Sequence, residues 1–143
     1  MKIFLAFATL FAAAVALTGA GPAVTFIGAD KVSTSMAKGG VLLTQPDLIV
    51  QGAHRAEAGQ VEVHDKETDV IYVTDGEATI VTGGTMVGGK NNSPGQWRGT
   101  DIQGGESRHL TKGDVIVVPA GIPHWFKEVP KSISYFVVKS VKP

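Results

Sequence analysis

Residues Gly113 to His124 read G-D-V-I-V-V-P-A-G-I-P-H, and no other stretch restricts the fold as much. Four apolar residues, Val115 to Val118, are closed in by Gly-Asp before and Pro-Ala-Gly after. A run that is β-branched throughout, too short for a helix and bounded by turn residues reads as a short buried strand between two tight turns. His124 then opens the next strand. It is either packing material or one arm of a metal site.

The rest of the chain repeats that punctuation. Short strands are expected at Val41–Leu43, Leu48–Gln51, Gly59–His64, Val70–Thr74, Ala78–Thr82, Arg108–Leu110, Val115–Val118, His124–Glu128 and Ser134–Val138, with little helical periodicity between them. Many short strands separated by Gly and Pro turns indicate an all-β sandwich or barrel. One pattern occurs twice: Asp69 to Gly76 and Asp114 to Gly121 both read D-V-I-x-V-x-x-G. Two copies do not make a solenoid, but they suit a barrel whose halves share a hairpin design. Gly83 to Gly105 is glycine-rich, without an apolar run, and is expected to be a long loop. It is functional or simply a surface excursion, with Trp97 and Arg98 available for docking.

The chain has 143 residues, enough for one domain. Its first twenty residues stand apart: Lys2, then an alanine-rich apolar run from Ile3 to Leu17, then Thr18-Gly19-Ala20. This is the pattern of a secretory signal peptide, with cleavage expected after Ala20, Ala16 being the other small-residue option. A membrane anchor or buried helix is the competing reading, but the run is short for a span of about 20 apolar residues. Residues 21–143 then form the mature domain in the periplasm or outside the cell. Acidic and basic residues number 13 each in the whole chain, so loss of Lys2 leaves a nearly neutral protein. No basic stripe marks it for nucleic acid. With no cysteine, disulfides, thiolate metal sites and a lipoprotein anchor are excluded, and any metal must be held by His and carboxylates.

Glu62-Val63-His64 lies on an expected strand, so Glu62 and His64 point to one side while Val61 and Val63 point to the other. Asp69 opens the following strand, and a hairpin would return it near His64. His124 is a candidate fourth arm. Two imidazoles with one or two carboxylates suit a divalent metal such as Fe, Mn, Ni or Zn. Each residue alone has a plainer explanation: a strand histidine is commonly hydrogen-bonded or exposed, and carboxylates are commonly solvated. A carboxylate on the inner face of a small barrel, however, needs a cation or donor to offset its desolvation.

These residues resemble the cupins. The second cupin motif, G-x5-P-x-G-x2-H-x3-N, is matched by Gly113, Pro119, Gly121 and His124, with Glu128 at the Asn position. In the first motif, G-x5-H-x-H-x3-4-E-x6-G, His64 and Gly76 match. Asp69 stands for the Glu, Glu62 for the first His and Ala56 for the leading Gly. The resemblance implies an antiparallel β-barrel of jelly-roll type with the site in its mouth. It also implies metal ligands at His64, Asp69 and His124, with Glu62 as a further ligand or as a catalytic base. Glu for His adds a negative charge, and Asp for Glu shortens an arm by one methylene.

Ile71, Phe126 and Arg108 are expected to line the pocket. Arg55 or Arg108 is available to bind an anionic or carbonyl-bearing substrate. Trp125 is expected to pack outside the barrel in a homodimer contact, while His54 and His109 sit on ordinary strand faces. The family likeness implies a divalent-metal-dependent enzyme on a small organic substrate, of dioxygenase, decarboxylase, lyase or isomerase type. A metal-free small-molecule-binding protein is the alternative, and a structural or storage role without a site is a third reading.

Overall fold

The computed structural model describes residues 23–143, and the expected signal peptide lies outside them. One helix, α1 (Ala29–Lys38), precedes twelve strands: β1 (Gly40–Thr44), β2 (Leu48–Arg55), β3 (Val61–His64), β4 (Glu67–Thr82), β5 (Thr85–Val87), β6 (Lys90–Ser93), β7 (Gln96–Gly99), β8 (Asp101–Gln103), β9 (Glu106–Thr111), β10 (Val115–Val118), β11 (His124–Glu128) and β12 (Ile133–Val141). All pairings are antiparallel. The architecture is the single-domain, all-β jelly roll.

The sixteen-residue β4 is the spine. Its first part joins β12 and β10 in one layer, which continues through β2 to β1. Its second part joins β9 and β11 in the other layer, which continues through β3 and β7 to β6. The sequence predicts two strands here, Val70–Thr74 and Ala78–Thr82. They are one strand, bent at Gly76, whose φ is +75°. A Cβ at Gly76 would stand 2.0 Å from the Ser132 carbonyl oxygen. Glycine is therefore required twice over, for its backbone conformation and for the close approach of the β11–β12 turn.

The repeated D-V-I pattern is a pair of neighbours. β10 lies directly against the first part of β4, with Ile116 opposite Ile71 and Val117 opposite Val70. β10 is not a fully buried strand, however. It ends its layer, and Val115 and Val117 are 60% and 54% exposed while Val118 is buried. An edge strand covered on one face accounts for this. The Gly113 turn is held by Val73, whose carbonyl accepts from Gly113 N–H at 2.8 Å and whose N–H donates to the Asp114 carbonyl at 2.9 Å.

The core between the layers consists of Ile71, Val73, Ala78, Ile80, Leu110, Phe126, Ile133, Tyr135 and Val137. These residues alternate along β4 and β12, as a half-buried strand requires. A smaller cluster of Val61, Val81 and Ile102, with Met86 and Trp125 packed against it, lies on the outer side of the second layer.

One expectation is corrected here. Gly83 to Gly105 is not a long loop but four short strands, β5 to β8, joined by turns. They left no apolar signature because each has only three or four residues and β6 is exposed throughout. Their pairing is decided by backbone partners, above all β7 against β3. Trp125 packs on the outer side of the second layer, as expected, but is not fully exposed there. It is half-buried among Val61, Val81 and Met86, and its indole N–H donates to the Gly59 carbonyl at 2.7 Å.

The helix α1 was not expected. It covers β2 where Gly52 leaves room, since a Cβ there would fall 2.6 Å from Ser35 Oγ. Ser35 accepts from Gly52 N–H at 2.9 Å. No helix among the described residues is long and apolar enough to cross a membrane.

Candidate metal centre

Strand register places the polar side chains in rows. His124 on β11 is directly opposite Glu62 on β3, and Glu62 is opposite Arg98 on β7. Alongside, His64 is opposite Gln96. Directly paired residues share a face, so all five project into the mouth of the sandwich. From the other layer come Asp69 on β4 and, directly opposite it, Lys139 on β12. The β3–β4 pair is not the expected hairpin. β3 pairs with β7 and β11 instead, and Asp69 reaches His64 across the interior.

Four atoms converge. His64 Nε2 lies 3.5 Å from Glu62 Oε2 and 3.7 Å from Asp69 Oδ2, and His124 Nε2 lies 3.9 Å from each of the same oxygens. Both imidazoles are buried, with side chains 5% exposed. Ligand atoms about 2.0–2.1 Å from a tetrahedral Zn(II) stand near 3.4 Å apart, so a small inward movement of Glu62, His64 and His124 would enclose an ion.

The hydrogen-bond network determines which imidazole nitrogens are free. Gln96 donates its amide to Glu67 Oε1 at 2.8 Å. An ionised carboxylate only accepts, so the Gln96 carbonyl must face His64 Nδ1, which it meets at hydrogen-bond distance. In the neutral imidazole this places the proton on His64 Nδ1 and leaves the lone pair on Nε2. At His124, Nδ1 faces the Ile122 carbonyl at 3.2 Å, which leaves its Nε2 free in the same way. An imidazole oriented through its outer nitrogen is the usual arrangement of a metal-ligating histidine. Among the described residues, His64 Nε2 is the buried side-chain polar atom with no hydrogen-bond partner. Such an atom costs about 1–3 kcal/mol in an ordinary core. A divalent cation would satisfy it, so the donor set fits the group.

The charges around the site are paired. Burial alone would raise the Glu62 carboxyl, but Arg98, His124, Arg55 and His64 outweigh it and hold Glu62 below the usual carboxylate range. Burial pushes the His124 imidazole below its ordinary value, against the opposing pull of the Ile122 carbonyl, Asp69 and Glu62. Arg55 donates to Tyr135 Oη at 2.7 Å and to Glu62 Oε1 at 3.2 Å. It also lies over the Phe126 ring, 5.0 Å from its centroid, and Phe126 in turn stacks on Tyr135. Arg55 therefore holds one Glu62 oxygen and leaves the other facing the imidazoles.

Among the described residues, two groupings have metal-ligating chemistry: Glu62, His64 and His124, and separately His64, Glu67 and Asp69. The second already has a cation. Lys139 Nζ donates to both Asp69 oxygens, at 2.8 and 2.9 Å, and lies 2.9 Å from Glu67 Oε2. Burial would raise the Glu67 carboxyl, but Lys139, with His64 and Gln96, outweighs this and holds it below its ordinary range.

Ile71 and Phe126 line the inner cavity of about 50 Å³, together with Arg55, Glu62, Asp69, His124, Tyr135 and Lys139. A wider mouth of about 300 Å³ adjoins it past Gln51, Glu62 and Lys139, bordered by Gln96 and Arg98. Arg108 lies elsewhere. It borders a separate cleft of about 670 Å³ between β9 and β10 and pairs with Glu106. His54 and His109 are exposed, bonded to Ser134 and Glu77.

Three contributors escaped the sequence reading: Lys139, Gln96 and Glu67. The inward alternation of Ile133, Tyr135 and Val137 runs on to Lys139, which was the available signal. Gln96 had none, because it lies in the segment read as a loop.

The family profile described as Cupin matches residues 53–143. No curated protein is significantly similar in sequence. Among solved structures, the chain resembles the Schizosaccharomyces pombe Cnp3 cupin domain (TM-score 0.53, 10% identity, 72% of this chain and 59% of that one). It also resembles BH2720 from Bacillus halodurans (0.52, 15%, 72% and 69%) and KdgF from Halomonas sp. (0.51, 18%, 73% and 79%). At these identities the likeness concerns the fold alone.

Proposed function

We propose, from the premise that this chain belongs to the cupin family, as its match over residues 53–143 shows, that it is a divalent-metal-dependent enzyme acting on a small anionic organic substrate. Members of the family include metal-dependent enzymes and binding proteins, and cupins commonly bind a divalent metal. The observation that carries the reading is the buried, unpartnered Nε2 of His64, facing Glu62 Oε2 and close to the free Nε2 of His124. Glu62, His64 and His124 would hold the ion, and two imidazoles with one carboxylate leave coordination positions open. The ion would supply Lewis acidity at those positions.

Charge balance supports the substrate class. Glu62, Glu67 and Asp69 face Arg55, Arg98 and Lys139, so the six charged groups cancel. A divalent ion between neutral imidazoles adds two positive charges in a partly enclosed cavity, where an anion offsets them better than a neutral molecule. Arg55, fixed by Tyr135, Phe126 and Glu62, presents a planar cation suited to a carboxylate. The inner cavity of about 50 Å³ takes only a few non-hydrogen atoms, and the remainder of a substrate extends into the mouth. Glu62 serves as a ligand in this reading, because a carboxyl held below its usual range is a weak proton acceptor.

Elemental analysis of the purified protein tests the reading. About one divalent ion per chain, lost in His64→Ala, is the expected result. A metal-free protein that still binds small anions would establish the alternative, a binding protein without catalysis, for which Lys139 is the supporting observation. Export through the leader and cleavage after Ala20 form part of the proposal, and N-terminal sequencing of the exported protein checks them.

A further inference from the structure

Asp69 occupies the position of a motif carboxylate, and its Oδ2 is as near the imidazoles as Glu62 Oε2 is, yet both its oxygens are already engaged by one ammonium group. We propose that Lys139 is the residue that decides the coordination of this centre: it withholds Asp69 and Glu67 from the ion, so that the metal is held by Glu62, His64 and His124 alone. The inference rests on the metal-centre reading above and deepens it.

The geometry separates two carboxylate environments. Glu62 has its Oε1 held by Arg55, while its Oε2 has only Arg98 at 3.9 Å besides the imidazoles. Its second oxygen therefore remains available. Asp69 has no such spare oxygen, because Lys139 Nζ sits within 3 Å of both. Lys139 is 7% exposed and Asp69 5%, so neither can turn to water. Breaking a buried pair strands a charge, which is strongly destabilising. An ion recruiting Asp69 would have to bear that cost, whereas recruiting Glu62 through Oε2 leaves its hydrogen-bonded pair with Arg55 intact and touches only the longer contact with Arg98.

The arrangement extends to His64. Lys139 also holds Glu67, Glu67 receives the Gln96 amide, and Gln96 sets the His64 tautomer. One lysine thus engages two carboxylates that would otherwise draw a second cation into the neighbouring His64, Glu67 and Asp69 grouping. It keeps the centre mononuclear and its open positions free for substrate.

The test uses Co(II) binding to the mature protein, read by affinity and by the visible ligand-field spectrum, in wild type, Asp69→Asn, Lys139→Met and the double variant. Wild type and Asp69→Asn should share one spectrum. Lys139→Met should shift it and tighten binding by roughly tenfold or more, the scale on which neighbouring groups tune metal sites. The double variant should return to the wild-type spectrum. A spectral change in Asp69→Asn alone makes Asp69 a ligand and overturns the proposal, as does a wild-type spectrum in Lys139→Met. If Lys139→Met does not fold, the Asp69→Asn spectrum decides alone. If wild type takes no ion but Lys139→Met takes one, the metal reading of the native protein falls while the role of Lys139 stands. If neither takes an ion, both fall.

Discussion

The two ends of the sandwich interior are built from the same strands and obey different rules. Along β12, Ile133, Tyr135 and Val137 enter the apolar core, and two residues later Lys139 enters the candidate metal centre. Along β11, His124 enters the centre and Phe126 the core. In the apolar end each side chain contributes by area and fit, independently of the state of its neighbours. In the polar end each group is defined by its partners: His64 by Gln96, Gln96 by Glu67, and Glu67 by Lys139. Low dielectric makes a satisfied polar network strong and an incomplete one costly. The apolar end therefore degrades by increments, while the polar end changes state when one member is lost.

The sharpest way to break this contrast is Ile133→Ala. Ile133 is fully buried, and its truncation should cost about 2–5 kcal/mol in urea unfolding. The protein that remains folded should keep its metal stoichiometry. Loss of metal at unchanged fold would merge the two ends. Gln96→Leu is the mirror case. It removes the group that orients His64 and should weaken metal binding by roughly 10–100-fold, with much less effect on unfolding than Ile133→Ala. A stability loss equal to that of Ile133→Ala would make Gln96 a packing residue.

A smaller effect is expected for Glu67→Gln on the pH dependence of stability. The folded Glu67 carboxyl lies below its ordinary range, so the unfolded chain binds the proton first as pH falls. Its contribution is present above the unfolded carboxylate value and is lost as pH drops through the lower folded value. The wild type should accordingly lose more stability than Glu67→Gln as acid is added from neutral pH, and equal slopes would remove Glu67 from the network. The smallest effect belongs to Arg108→Ala. Its pair with Glu106 is exposed, with side chains 44% and 70% accessible, and it borders the other cleft. Unfolding should change by no more than about 0.5 kcal/mol, and Co(II) affinity should not change measurably. A clear loss of affinity would bring the two clefts into one site.

The fold was largely legible in the residues because its strands and turns are local statements. Gly113, Pro119 and Gly121 specify turns through backbone conformation, and the alternation of Val, Ile and Tyr marks the inward faces of β4 and β12. Where local signals were weak, the reading failed. The short strands β5 to β8 hold too few apolar residues to show a period, and the bend at Gly76 joins two runs that look separate. Burial of β10 was overestimated because a four-residue apolar run does not say how many faces are covered.

The sequence by itself determined an all-β, cysteine-free chain with a jelly-roll motif, and it put His64, Asp69, His124 and Glu62 at spacings that suit one site. Only the tertiary structure decided what those residues face. Lys139 lies 70 residues from Asp69 in sequence and meets it because β12 and β4 pair in one register. Gln96 lies 32 residues from His64 and meets it through β7 and β3. Turn geometry is encoded over a few residues, whereas the charge state and partners of a buried group depend on whichever strands the whole sheet brings beside it.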